Sequence, residues 1–160
     1  MKIFPIIFYI IVLLFVQIGI LPHLVIFNAY PNLILLSIIS LSILRGWKKT
    51  LPWIISGGLF MDFYSLHNIL GISLVTLLIT AYISYFLSQN TFKKATFLSL
   101  FLVFLISIII YYVSLIVLSE IFGINFDFRF LNFIIEIIYN LIFAIPIFYL
   151  TKKYARFWKI

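Results

Sequence analysis

Two carboxylates set inside apolar runs, Asp62 and Glu136, are the residues of this chain whose type and position come nearest to chemistry. A carboxylate at lipid depth is costly, so such a residue marks a proton or ion path, an internal ion pair, or hydrogen-bonded contact between helices. Asp62 closes the stretch Ile55-Ser56-Gly57-Gly58-Leu59-Phe60-Met61-Asp62, and Gly71 follows after a short break. Gly58 and Asp62 are four apart and share a helix face, which sets a notch open to a neighbouring backbone beside the charge. Glu136 shares a face with Asn140 and Ala144, ahead of Pro146. Both carboxylates fall at similar depth in the outer half of their spans, and Arg129, two turns before Glu136, is the cation available to pair with them.

Other chemistries find no residue set. His23 and His67 lie in different connectors, and no helix face carries a second metal ligand beside either, so neither a metal nor a cofactor is expected. Ser56-Gly57-Gly58 is not a nucleophile elbow, and no histidine lies deep in a span to activate a serine. The basic clusters sit at span ends rather than around the carboxylates, which argues against an enzyme acting on lipid phosphates. The chain is expected not to be an enzyme.

The elements that hold these residues follow from composition. The 160 residues are 66% hydrophobic and 9% charged, whereas about a quarter of a soluble domain is charged. This is the composition of a single integral membrane domain covering residues 1–160, all-α and polytopic, with the lipid bilayer as its solvent. The net charge of +7 is scattered in short clusters between apolar runs, a pattern that excludes nucleic acid as a partner. Cysteine is absent, so disulfide and thiolate chemistry are excluded.

Hydropathy predicts six transmembrane helices, at about 3–21, 32–44, 50–66, 69–88, 95–118 and 131–150. The first resembles a signal peptide, but Pro22-His23-Leu24 stands where a small-residue cleavage site would be, so it reads as an uncleaved helix. The third, with its Gly-Gly and Asp62, is expected to be the span around which the others are arranged. Between the fifth and sixth, Ile124, Phe126, Phe128 and Phe130 alternate with Asn125, Asp127 and Arg129, which predicts an extended interfacial connector. After Leu150, the segment carrying Lys152, Lys153, Arg156 and Lys159 among Tyr154, Phe157 and Trp158 is expected to lie on the inner leaflet. There it meets anionic lipid or a cytoplasmic partner. Lys2, the Arg45/Lys48/Lys49 cluster, Lys93/Lys94 and this segment fall on one side of six alternating spans, so both termini are expected in the cytoplasm.

An ordered set of residues also supports a resemblance. Tyr30-Pro31-Asn32-Leu33-Ile34-Leu35-Leu36, the Arg45-Gly46 turn, Gly57-Gly58-Leu59-Phe60-Met61-Asp62, Leu70-Gly71-Ile72, and Asn140 with Pro146 resemble, in order and spacing, MreD, the rod shape-determining membrane protein family of bacteria. The resemblance implies a multi-pass protein of the bacterial inner membrane, a non-enzymatic member of the cell-wall elongation machinery. It implies an MreC-like bitopic membrane protein, an MreB-like actin homologue, and a wall synthase and transpeptidase as partners. It also implies a six-helix arrangement similar to the substrate-binding subunits of energy-coupling-factor vitamin transporters. Such a subunit is the alternative reading, although the first span lacks the alanines at spacing four with which those subunits dock their coupling protein. On either reading Pro31, Asn32, Gly57, Gly58, Asp62, Gly71, Glu136 and Asn140 are expected to pack helices or bind a partner.

Overall fold

The computed structural model describes Tyr9 and residues 11–25, 29–64, 70–91, 96–123 and 130–157. Regular structure among them is helical: α1 (Ile11–His23), α2 (Leu33–Arg45), α3 (Trp47–Tyr64), α4 (Ile72–Phe86), α5 (Phe97–Ile121) and α6 (Phe130–Phe157). Among the described residues three segments are long and apolar enough to cross a membrane, namely Ile72–Asn90, Phe97–Ile121 and Phe130–Ala155. α1 and α2 are apolar but shorter, and α3 carries Lys48 and Lys49 in its first turn.

The bundle is arranged around α2 and not, as expected, around α3. Every residue from Leu33 to Ser42 is buried, and α2 packs against α3, α4, α5 and α6. A helix apolar on all sides seeks such a position. Its serines permit close approach and find partners at once: Ser40 Oγ donates to the Leu36 carbonyl at 2.7 Å, and Ser42 Oγ donates to the Ala81 carbonyl of α4. α2 stops at Gly46, whose φ of 85° and ψ of 149° favour glycine, and α3 begins at the next residue.

Several boundaries differ from the hydropathy reading: α3 starts at Trp47 rather than about 50 and α4 at Ile72 rather than 69. α5 continues past Leu118 to Ile121 and ends where Gly123 adopts a φ of 67°. α6 does not stop at Leu150 but runs on through Lys152 and Lys153 to Phe157, since no glycine or proline follows Pro146 to break it. The segment expected on the membrane surface is thus helical and continuous with α6 as far as Phe157. The alternating stretch 124–129, including Arg129, lies outside the described residues, as do Lys2, His67, Lys93, Lys94 and Lys159.

Candidate functional site

The first four N–H groups of a helix have no partner inside it, and Asp62, Asn32 and Asn140, three of the residues singled out in the sequence, meet that need. Asp62, in α3 and 3% exposed, reaches the start of α4. Its Oδ2 accepts from the Gly71 N–H at 2.7 Å and its Oδ1 from the Ser73 N–H at 2.8 Å. The carboxylate therefore caps a helix from the preceding helix, where the helix dipole favours negative charge. Gly71 takes a φ of 109°, a left-handed conformation that presents its N–H to Asp62 at little cost for glycine.

The two adjacent glycines of α3 serve different neighbours. A Cβ on Gly58 would stand 2.6 Å from Leu74 Cα, against the backbone of α4. One on Gly57 would stand 2.8 Å from Ile34 Cγ2, on α2. α3 is thereby wedged between the central helix and its own hairpin partner, with Asp62 one turn beyond Gly58 on the α4 side.

The start of α2 is held in the same fashion by α6, by α1 and by its own cap residue. The Asn32 N–H donates to Asn140 Oδ1 of α6 at 2.8 Å, and the Leu33 N–H donates to Gln17 Oε1 of α1 at 2.8 Å. The Leu35 N–H donates to Asn32 Oδ1 at 3.0 Å, a side-chain N-cap. Pro31, just ahead, is buried. Asn140 is fully buried and spends its amide hydrogens on the Glu136 carbonyl at 2.8 Å and on Tyr112 Oη at 3.2 Å. The half-buried Glu136 side chain lies near the Tyr112 hydroxyl. Next to it, Tyr111 is buried against Asn32, within electrostatic reach of both Asp62 and Glu136. Asn32, Asn140 and Tyr112 thus form a polar seam at the start of α2, with Glu136 beside it.

The other end of the bundle is cationic. The Arg45 guanidinium donates to the Ala155 carbonyl, which brings the end of α2 to the end of α6 and suits that helix's negative terminus. Lys48, Lys49, Lys152 and Lys153 are exposed or half-exposed there, Lys48 5.9 Å from the Trp47 ring centre. The side chain of Arg156 and all of Lys159 lie outside the described residues. Tyr9 of the first span reaches both neighbours at this end, bonding Thr151 at 2.9 Å and Ser37 at 3.4 Å.

The structure therefore brings together Asn32, Asn140 and Glu136 in one cluster and Asp62, Gly58 and Gly71 in another. It separates Gly57 from Gly58 and leaves Lys152 and Lys153 on the surface. Gln17, Tyr9, Tyr111 and Tyr112 do comparable work and were not singled out in the sequence, while Arg45, read there as part of a basic cluster, also ties α2 to α6. Gln17 carried a signal, being the one amide in the first apolar run. The Ser/Thr stripe of α4 carried another: Thr76, Thr80 and Ser84 recur at spacing four, and Ser84 Oγ meets Ser107 Oγ of α5 at 2.8 Å.

Chemically, this arrangement fixes helix ends. Its polar atoms point at backbone N–H groups, backbone carbonyls and one another, and no group of three metal-ligating side chains occurs among the described residues. Comparison with protein-family models, with curated proteins and with solved structures gives no significant match.

Proposed function

We propose that the chain is a non-enzymatic membrane scaffold of the bacterial cell-wall elongation machinery, similar in role to the MreD family. It would cross the inner membrane six times with both termini in the cytoplasm. It would bind an MreC-like bitopic protein and link it to an MreB-like filament and to a wall synthase and transpeptidase. One observation carries this reading: the residues behind the resemblance, Asn32, Gly58, Asp62, Gly71 and Asn140, are spent on holding helices to one another. A scaffold needs a rigid body with outward faces, and joints of this kind provide rigidity without a reaction centre. The single side of the bundle that gathers Arg45, Lys48, Lys49, Lys152 and Lys153 agrees with a cytoplasmic inner end.

The test is affinity purification of the full chain from its host's membranes in mild detergent, together with depletion in that host. The proposal expects a bitopic wall-assembly protein in the eluate and rounded, widened cells with normal vitamin uptake. Normal cell shape, with a bound vitamin and a nucleotide-driven coupling complex, would replace it by the transporter-subunit reading.

A further inference from the structure

An apolar cavity of about 480 Å³ lies between α1, α2 and α6, a size within the roughly 300–1,000 Å³ of ligand pockets. Leu33, Leu21 and Ile147 form its buried floor, and Val12, Ile20 and Leu150 its exposed rim. Tyr9 and Tyr154 stand at its cationic end with ring centroids 5.3 Å apart. Both long walls depart from regular α-helix where they face it. α1 widens into a π turn over Val16–Ile20, and α6 carries Pro146, which has no N–H to close its turn. Irregularities of this kind bend a helix and recur at functional sites.

Something apolar must fill this space. Water finds little to bind, because the lining is hydrocarbon apart from the Tyr9 hydroxyl, committed to Thr151 and Ser37, and the Tyr154 hydroxyl at one end. Left empty, the lining would forfeit its dispersion contacts. The groove runs along the helices, is open at its rim, and ends at Tyr9 and Tyr154, on the side of the bundle that carries the basic residues. Lys153 is exposed and stands one turn beyond the rim residue Leu150 on α6, a spacing that sets it toward the groove's edge.

We propose that this groove is a lipid site, taking one acyl chain of an anionic phospholipid whose phosphate is met by Lys153. An apolar slot closing on a cation matches the chemistry of a charged headgroup on a hydrocarbon tail. The site is separate from the polar seam and does not depend on the scaffold reading.

The test is native mass spectrometry of the full chain in mild detergent, with phosphatidylglycerol or phosphatidylcholine of identical tails. One phosphatidylglycerol should stay bound at activation energies that strip phosphatidylcholine. Leu150→Trp, which fills the rim, should weaken retention at least tenfold, and Ile138→Trp, on an exposed face of α6 outside the groove, should not. Lys153→Glu should abolish the preference for the anionic lipid. Because Leu150→Trp can fail to fold, phosphatidylglycerol with a photoreactive tail is also applied to the unaltered chain in vesicles. Labels should concentrate at Val12, Ile20 and Leu150. Labels spread equally over Val113 and Ile138, or equal retention in both tryptophan variants, would overturn the proposal. So would labelling of the groove only after a co-purifying protein has been removed, since a protein helix would then be its occupant.

Discussion

The Asn32 backbone N–H and the Asn140 side-chain oxygen meet at 2.8 Å across 108 positions of sequence, tying the first turn of the central helix to the last helix. Asn140 is fully buried there, and its amide hydrogens are bound to Tyr112 and to the Glu136 carbonyl. Removing it orphans a backbone donor as well as a hydroxyl.

Asn140→Leu is therefore expected to destabilise the bundle by about 1–3 kcal/mol, the cost of a buried unsatisfied group. Tyr112→Phe, which removes only the hydroxyl, should cost less. The double variant should cost less than the sum of the two, because both act on one network. Reversible unfolding in mixed micelles measures all three, and strict additivity would show that the Tyr112 contact carries no energy.

At the glycines, the neighbour decides the outcome. Gly58→Ala drives a methyl group against the backbone of α4, whereas Gly57→Ala meets the side chain of Ile34. Overpacking of this kind costs about 1–3 kcal/mol, with the larger value expected at Gly58, since a side chain yields more readily than a backbone. The same unfolding measurement ranks the two, and equal costs would mean that α3 and α4 are not pressed together at Gly58.

Asp62 can be read at single amides. Asp62→Asn keeps one oxygen for two N–H donors, and Asp62→Ala keeps none, so exchange at Gly71 and Ser73 should quicken from wild type to Asn to Ala. Hydrogen exchange in detergent micelles reports it. Unchanged protection in Asp62→Ala would show that these donors do not depend on the carboxylate.

Orientation is open to direct labelling, because the chain contains no cysteine. Cysteines placed at Lys49 and at Lys153 should be shielded from an impermeant thiol reagent in intact cells. One placed at Leu70, exposed between α3 and α4, should label. Labelling of the first two with protection of the third would invert the topology, and opposite results at Lys49 and Lys153 would break the arrangement in which Arg45 meets Ala155.

Much of the helical plan was legible because long apolar runs declare themselves, and α2 falls within a residue or so of its expected limits. The shared face of Gly58 and Asp62 was legible too, from spacing alone. Its partner was not, since the cap at Gly71 and Ser73 arises from how the chain returns after α3, which periodicity does not encode. The central place of α2 was hidden because an apolar run reads alike whether lipid or protein surrounds it. Tyr111 and Tyr112 read as ordinary span aromatics until the fold set them beside Asn32, Glu136 and Asn140. The helical course of Thr151 to Phe157 was obscured by its basic and aromatic composition, which suits a surface segment equally well.

The central claim, that these residues serve as helix joints within a scaffold, is tested most directly by plotting cell width against the folded, membrane-inserted amount of each variant. The set is Asn140→Leu, Gly58→Ala, Asp62→Asn and Asp62→Ala, expressed in cells depleted of the native chain. The account predicts a single curve, on which every variant that accumulates to normal levels also supports normal width. Asp62→Asn present at the wild-type level in rounded cells would contradict it, because the charge itself would then be in use.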